Sequence, residues 1–274
     1  MGLRVNTNTF SMNAQRNLSN VTSRLSGNFS KLSSGLRIAT AADDAAGLGI
    51  SEKMRSHIRS LGQAGRNAQD GQSLVNVAEG ALSEVNSNLI RMRELAIQAS
   101  NGTLSSEDQD VISAEFNELV SEIGRISDVT EFNGKTLLDG TNATITIQAG
   151  VDTGAAHTVD LVMVDSSLAT LGIDSLDVSS GGDTAAAIDA IDTAIGSINT
   201  SRGTLGAASN RLATTIRSIA NYEENLSASE SRIRDVDVAY ETADLTRNSI
   251  MQQAAVSVLA QANTQPQLAL SLLG

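Results

Sequence analysis

Few residues in this 274-residue sequence could carry out chemistry, and their spacing fits no common catalytic or binding site. The segment 133–136 reads Asn-Gly-Lys-Thr, like the end of a phosphate-binding P-loop. That motif requires a glycine where Val129 stands, so we interpret the segment as a turn. His57 and His157 lie in different segments, and neither has a second metal ligand at helical spacing. These patterns predict no nucleotide site and no metal site.

Two further patterns fall short of an active site. Gly47 and Gly49 lack the third glycine of a dinucleotide-binding loop, because Glu52 occupies its position. Asp235 and Asp237 are two residues apart, so on a helix they would point in different directions and suit no general acid and base pair. No serine lies in a Gly-x-Ser-x-Gly elbow. We therefore expect a protein that is not an enzyme and uses no cofactor.

The composition of the chain argues against several classes of protein. The net charge of −12, from 19 basic and 31 acidic residues, argues against nucleic acid or an anionic membrane as a partner. The chain has no Trp, two Tyr and four Phe, so its core must be built from smaller apolar residues in thin layers. It has no cysteine, no apolar stretch of a cleavable signal peptide at its start, and no apolar run that could span a membrane.

Two long stripes of apolar residues at coiled-coil spacing dominate the sequence. The first runs through 75–99 and the second through 205–240, each with steps of three and four residues. The stripes predict two long helices that pack on other helices along their length. We expect the side chains of Leu212, Ile219 and Leu226 to be largely buried and in contact with the 75–99 stripe. The principal seam residues are Val75, Leu82, Leu89, Met92, Leu205, Leu212, Ile219, Leu226, Ile233 and Tyr240.

The order of elements is helices, then a few short strands, then helices. Helical patterns cover about 4–36, 44–99 and 106–128, and Asp43 and Asp44 offer an N-cap for the second helix. Between about 132 and 180 the period drops to two, which is typical of strands. Helix resumes near 184 and continues to the end. We predict a mainly α fold: a long helical hairpin or coiled-coil bundle, with a small β patch at its turn and the two termini paired at the other end.

Several charged residues flank these seams. Such charges solubilise a helix face, but they can also set the register and partner of neighbouring subunits. The candidate subunit contacts are Arg91, Arg93, Glu94, Arg232 and Asp235.

Conspicuous segments at both ends of the chain resemble one protein family. The N-terminal part contains NTNTFSMNAQRNL at 6–18, DDAAGLGIS at 43–51 and RMRELAIQASNGT at 91–103. The C-terminal part contains INTSRGTLGAASNRL at 198–212, NLSASESRIRDVDVAYETADLTR at 225–247 and LAQANTQPQLALSLL at 259–273. In this order, they resemble bacterial flagellin, the subunit that polymerises into the flagellar filament used for swimming.

The resemblance implies a division of the chain into layers of a filament. Residues 1–40 and 238–274 would form an inner-tube coiled coil. Residues 41–237 would form an outer-wall helical rod domain that contains the β patch, without the variable outer domains of many flagellins. The terminal helices would need neighbouring subunits to cover their apolar stripes, because two helices alone bury little area.

The resemblance also implies partners and a location. The chain would assemble with itself, and with a flagellar export chaperone, cap proteins and hook-associated proteins. It would be exported without a cleavable signal peptide and act outside the cell. Some flagellins are sensed by a Toll-like receptor, and Arg91, Leu95 and Glu115 stand at matching positions here. Ile90 replaces the polar residue usual before that arginine.

Two other assignments remain open from the sequence. A minor flagellin or a hook–filament junction protein would share the same arms. A cytoplasmic signalling coiled coil would share the heptads, but it would have no reason for the β patch or for the terminal motifs.

Overall fold

The computed structural model describes residues 7–271, with side chains for 7–265. The α-helices are α1 (Thr9–Ser34), α2 (Ala45–Ala99), α3 (Ser106–Val129), α4 (Leu168–Leu171), α5 (Thr184–Arg234) and α6 (Val238–Ser271). The strands are β1 (Glu131–Phe132), β2 (Lys135–Thr136), β3 (Thr144–Gln148) and β4 (Thr158–Val162). With 74% of the chain helical, the predicted fold class of a helical bundle with a small β patch is confirmed.

Side chains of the types expected for N-caps begin the long helices. Asp44 Oδ1 accepts hydrogen bonds from the backbone N–H groups at the start of α2, and Asp183 does the same for α5. Ser105 and Asp108 form a reciprocal capping box at α3. Asn8 caps α1 through a 3.1 Å bond from the backbone N–H of Ser11. These bonds satisfy amide groups that have no partner inside the helix.

The strands form two antiparallel hairpins. Asn133 and Gly134 connect β1 to β2 with φ values of 52° and 76°, so the segment that resembled a P-loop is a tight turn. In the second hairpin, Ile145 of β3 lies opposite Leu161 of β4, and both side chains are buried. A Cβ atom added at Gly71 of α2 would lie 3.0 Å from the side chain of Ile147. The glycine therefore lets the hairpin approach α2 closely.

The chain divides into two compact units. One contains Met1–Ser56 and Asn225–Gly274, and the other contains His57–Glu224. In the first unit, α1 packs against α6. The second unit holds the larger parts of α2 and α5, together with α3, α4 and both hairpins. The predicted layers of a filament, with boundaries near 40 and 238, stay a prediction.

The second unit has a continuous apolar core of thin layers. Much of the predicted seam lies inside it, together with Phe116 and Ile123 of α3 and with residues of the second hairpin. Because few aromatic residues are present, helices approach one another through alanine and medium-sized aliphatic side chains. The fully buried or nearly fully buried seam residues are Val75, Leu82, Leu89, Met92, Leu205 and Leu212, and Ile219 is buried to 8% exposure.

The pairing of α2 with α5 differs from the expectation in its register. Gln72 Nε2 donates to Ser209 Oγ at 3.3 Å, and Arg202 Nη2 lies 2.8 Å from Glu79 Oε1. Since the helices run antiparallel, residues after Ser209 lie beside positions before Gln72. A Cβ atom added at Gly65 would be 3.7 Å from Ile219. The expectation that Ile219 packs against the 75–99 stripe was therefore wrong.

The seam also ends earlier than its heptad spacing indicated. Leu226 and Ile233 are half-buried, and Tyr240 is 67% exposed. For Tyr240 the reason is a break in the helix: α5 ends at Arg234, and Asp237 Oδ1 accepts hydrogen bonds from the first amide groups of α6. Tyr240 belongs to this new helix, so its heptad distance from Ile233 no longer places it on the same face.

The buried part of the seam should dominate the stability of the second unit. Replacing Leu212 with alanine should lower the free energy of unfolding by about 2–5 kcal/mol, because the change leaves a cavity in a dense core. Urea denaturation of the monomer, followed by circular dichroism, measures the change. Leu226→Ala is the matched control at a half-buried seam position, and its cost should be smaller. Equal costs would contradict this account of the core.

The side chain of Asp237 should contribute more to the stability of the folded chain than the side chain of Asp235. Asp237→Ala should lower the free energy of unfolding by about 1 kcal/mol, because the N-terminal amides of α6 lose their acceptor. Asp235→Ala, at an exposed residue two positions earlier, serves as the control in the same assay. A larger loss from Asp235→Ala would show that the break between α5 and α6 is not held by the cap.

Candidate assembly surfaces

Large apolar side chains cover the outside of the α1–α6 pair. Among the described hydrophobic residues of that unit, only Ala14, Ile38 and Ala262 are buried. Large exposed residues lie along both helices and include Phe10, Met12, Phe29, Ile250, Met251, Val256 and Val258, each 37–61% exposed. A stable monomer would gain by placing such side chains inside, so this surface is suited to contact with another protein.

Grooves run between α1 and α6 on one side of the pair. One has a volume of about 450 Å³, and its lining includes Val21, Met251 and Val258. An adjoining groove of about 310 Å³ shares Val258 and extends to Phe10. Amide side chains such as Asn17 stand in both. An apolar floor with amide groups can receive an apolar side chain and offer hydrogen bonds around it.

The charged candidates on α2 form ion pairs within the chain. Arg91 donates to Glu115 of α3 at 2.8 Å and to Glu94 at 3.2 Å, and the bond to Glu115 is the main reason that the pKa of Arg91 is raised. Arg93 binds Asp192 of α5 through both carboxylate oxygens, which lowers the pKa of Asp192. All these side chains are about half exposed, so the pairs add little to folding.

The other two charged candidates lie where α5 ends. Arg232 is exposed and donates to Ser229 Oγ at 2.9 Å. Asp235 is exposed and forms an isolated antiparallel bridge with Leu36 through its backbone. The two residues therefore have different partners. Neither carboxylate–guanidinium pairing nor a shared ligand brings them together in the described structure.

Sequence reasoning missed the junction around this bridge. Arg37 donates from its backbone to Arg234 O at 2.7 Å and from its guanidinium to Ile233 O at 2.5 Å. Arg234 in turn pairs with Glu52, and that contact is the main cause of the lowered pKa of Glu52. The basic residues at 232–234 were visible in the sequence. The distant contacts were not, since Arg234 pairs with Glu52 across 182 residues and Arg37 reaches Ile233 across 196.

The three positions that match receptor contacts of some flagellins are close together, but their side chains differ in solvent exposure. Arg91 and Glu115 are bonded to each other and are about half exposed. Leu95 is 2% exposed and belongs to the core. As a receptor contact on this chain, Leu95 would act only by supporting the surface above it.

The two histidines come together in space, which their separation in sequence did not indicate. His57 of α2 and His157 before β4 line one groove of about 520 Å³. His157 Nε2 lies 3.9 Å from Asp152 Oδ2. Within the described part of the chain, no group of three or more potential metal-binding side chains stands close enough to hold an ion. Across the same residues, no helix is long and apolar enough to cross a bilayer.

Comparison with known proteins identifies the family. Residues 5–143 match the model of the bacterial flagellin N-terminal helical region, and residues 188–273 match that of the C-terminal helical region. A flagellin from Halalkalibacterium halodurans is 49% identical over 269 residues, which cover 98% of this chain and 99% of that protein. The flagellin of Bacillus subtilis strain 168 is 43% identical, with coverage of 99% and 100%.

A solved structure agrees with these matches. The crystal structure of Bacillus cereus flagellin has a TM-score of 0.50 and 34% identity, covering 56% of this chain and 88% of that one. These names favour a filament subunit and give no support to a minor flagellin or a hook–filament junction protein. The chain belongs to the bacterial flagellin family and is a structural subunit of the flagellar filament.

Proposed function

We propose that the chain polymerises through its terminal helices, with 1–40 and 238–274 forming the inner layer of the filament and 41–237 the outer wall. The observation that carries this proposal is the apolar exterior of the α1–α6 pair, on which Phe29 and Ile250 are 58% and 61% exposed. The second unit also exposes some large apolar residues, such as Val111 at 72% and Val162 at 57%, but it has a continuous buried core of its own.

The geometry of two helices explains why further copies are needed. Each helix in a pair can bury only the stripe that faces its partner, so other apolar residues remain in water. Burial of apolar area contributes about 25 cal/mol per Å², and copies of the same chain can supply the missing surface. Contacts between different faces of identical subunits repeat without closing and generate a helical filament. The chain itself is therefore the main partner.

The charged residues would act at the contacts of the outer wall. Arg91 and Glu94 are exposed and Arg93 is half-buried on one stretch of α2, and Arg232 and Asp235 are exposed beyond the end of the core. Surface charges fix register and exclude wrong partners more than they add affinity. The pairs of Arg91 and Arg93 within the chain support this role, because they hold the guanidinium groups in defined positions before assembly.

Export and accessory partners follow from the family. We assign this chain a route out of the cell through the flagellar export channel without signal-peptide cleavage, and a final location in the extracellular filament. A dedicated chaperone would hold the C-terminal segment before export. The exposed Ile250, Val256 and Val258 of α6 support this assignment, because they would otherwise promote aggregation in the cell. Cap and hook-associated proteins would complete the assembly.

Recognition by a Toll-like receptor would use the same stretch of α2. The exposed Arg91 and Glu115 support this proposal, since they present a charged pair on the surface of the monomer. Leu95 would contribute indirectly, because its buried side chain packs α2 against the core.

The terminal surface can be tested by an isosteric change. Val258→Thr should raise the critical concentration for polymerisation roughly tenfold, because burying a valine side chain contributes about 1.5–3 kcal/mol and 1.4 kcal/mol is a factor of ten. The measurement is the concentration of purified protein above which short filament seeds elongate, with tubes counted by electron microscopy. The parent chain should form long tubes.

Val162→Thr on β4 provides the control, since Val162 is 57% exposed and Val258 is 59% exposed. This change should leave the critical concentration unaltered. If the parent chain forms no tubes on seeds, the proposed assembly is wrong. If both variants behave like the parent, assembly does not use the face of α6 that carries Val258.

Charge reversal tests the outer-wall contact. Arg91→Glu should slow elongation of seeds by tenfold or more while leaving the helical circular dichroism of the monomer unchanged, since Arg91 is exposed. Arg125→Glu is the matched control, because Arg125 also forms an exposed ion pair, with Glu122 of α3. Normal elongation of the Arg91 variant would show that its charge only solubilises the helix.

A further inference from the structure

The seam between α1 and α6 contains polar side chains at positions that usually hold apolar ones. Its residues are spaced alternately three and four apart, and all are buried or half-buried. On α1 they are Ser11, Ala14, Leu18, Val21, Leu25, Asn28 and Leu32, and on α6 they are Glu241, Leu245, Asn248, Gln252, Ala255, Leu259 and Ala262. The pair thus buries several polar groups while it exposes Phe29 and Ile250 on its outside.

Asn28 and Asn248 form the central polar contact of this seam. Each residue is 7% exposed, and Asn248 Nδ2 donates to Asn28 Oδ1 at 3.3 Å. Toward the other end of the pair, Ser11 Oγ donates to Asn263 Oδ1 at 2.7 Å. The two contacts agree with one antiparallel register. A buried amide without a hydrogen-bond partner is costly, so the bond between the asparagines distinguishes this register from others.

Sliding α1 by one heptad along α6 would keep apolar residues facing apolar residues in many places. The heptad pattern alone therefore does not select one register. The asparagines do select one. In one slipped register Asn248 would face Val21, and in the other it would face Gly35 beyond the end of α1. In both, the amide of Asn248 loses its partner.

We infer that the hydrogen bond between Asn28 and Asn248 fixes the register of α1 against α6. A single buried asparagine pair is a well-established device for setting register in coiled coils at a cost in stability. Register decides which apolar residues line the grooves between the helices, such as Val21 beside Met251. This second consequence rests on the proposed assembly through that face, whereas the register itself does not.

Disulfide trapping tests the inference directly, because the chain has no cysteine of its own. Ser11→Cys with Asn263→Cys reports the native register, since these side chains are in contact. Ser11→Cys with Val256→Cys, and Leu18→Cys with Asn263→Cys, report slips of one heptad in the two directions. In the parent chain, the native reporter should form disulfide at least tenfold faster than either slipped reporter.

Asn28→Leu with Asn248→Leu should raise the slipped disulfides to a yield comparable with the native one, because leucines pack in any of the registers. Asn28→Ala with Asn248→Ala removes the amides with little added hydrophobicity and should have the same effect. Gln15→Leu with Gln253→Leu adds apolar area at exposed positions outside the seam and should leave the native reporter dominant.

The disulfide yields are measured on monomers and on filaments elongated from seeds. Exclusive native disulfide in both asparagine double variants would overturn the inference, as would equal yields from all three reporters in the parent. Failure of the parent to elongate on seeds would instead contradict the proposed assembly, and the reporters in the monomer would still test the register.

Discussion

A pair of helices buries only the stripe where the two helices meet, and this limit governs the terminal unit of the protein. The residues of α1 and α6 outside that stripe face solvent, and many of them are large and apolar. Inside the stripe, Asn28 and Asn248 take up room that leucine would fill in a self-sufficient coiled coil. The unit is thus incomplete on its own, which suits a subunit whose surroundings are other copies of itself.

In the larger unit, more than two elements pack together, so the limit of a helix pair does not apply. There α2 and α5 are covered by α3 and by the hairpin of β3 and β4, so the seam of α2 has apolar neighbours on more than one side. Exposed ion pairs lie on the outside of this core, for example between Arg93 and Asp192. Such pairs add little stability, but they place charge at defined positions on a surface.

Hydrogen bonds near the bridge between Leu36 and Asp235 stabilise the point where the heptad pattern of α5 ends. The backbone N–H and the guanidinium of Arg37 donate to carbonyl groups at the end of α5, and the Asp237 carboxylate accepts from amide groups at the start of α6. These bonds reduce the cost that unpaired terminal groups add at a helix end.

Local sequence patterns were sufficient to predict most of the helices, the small β patch and the family, but not the break between α5 and α6. Heptad spacing, Asp and Ser caps, and the turn at Asn133 and Gly134 are local signals, because each depends on residues within a few positions. For the same reason the buried part of the seam, such as Leu82, could be named in advance.

The alignment of α2 with α5 and the long-range contacts of α5 could be seen only in the folded chain. The heptad repeat is the same after a shift of seven, so it could not show that Ile219 lies beside Gly65. Nor could it show that Tyr240 is exposed, since α5 ends at Arg234 and Tyr240 belongs to the next helix. Contacts between residues far apart in sequence select one alignment among several with nearly equal apolar burial, and that selection exists only once the chain has folded.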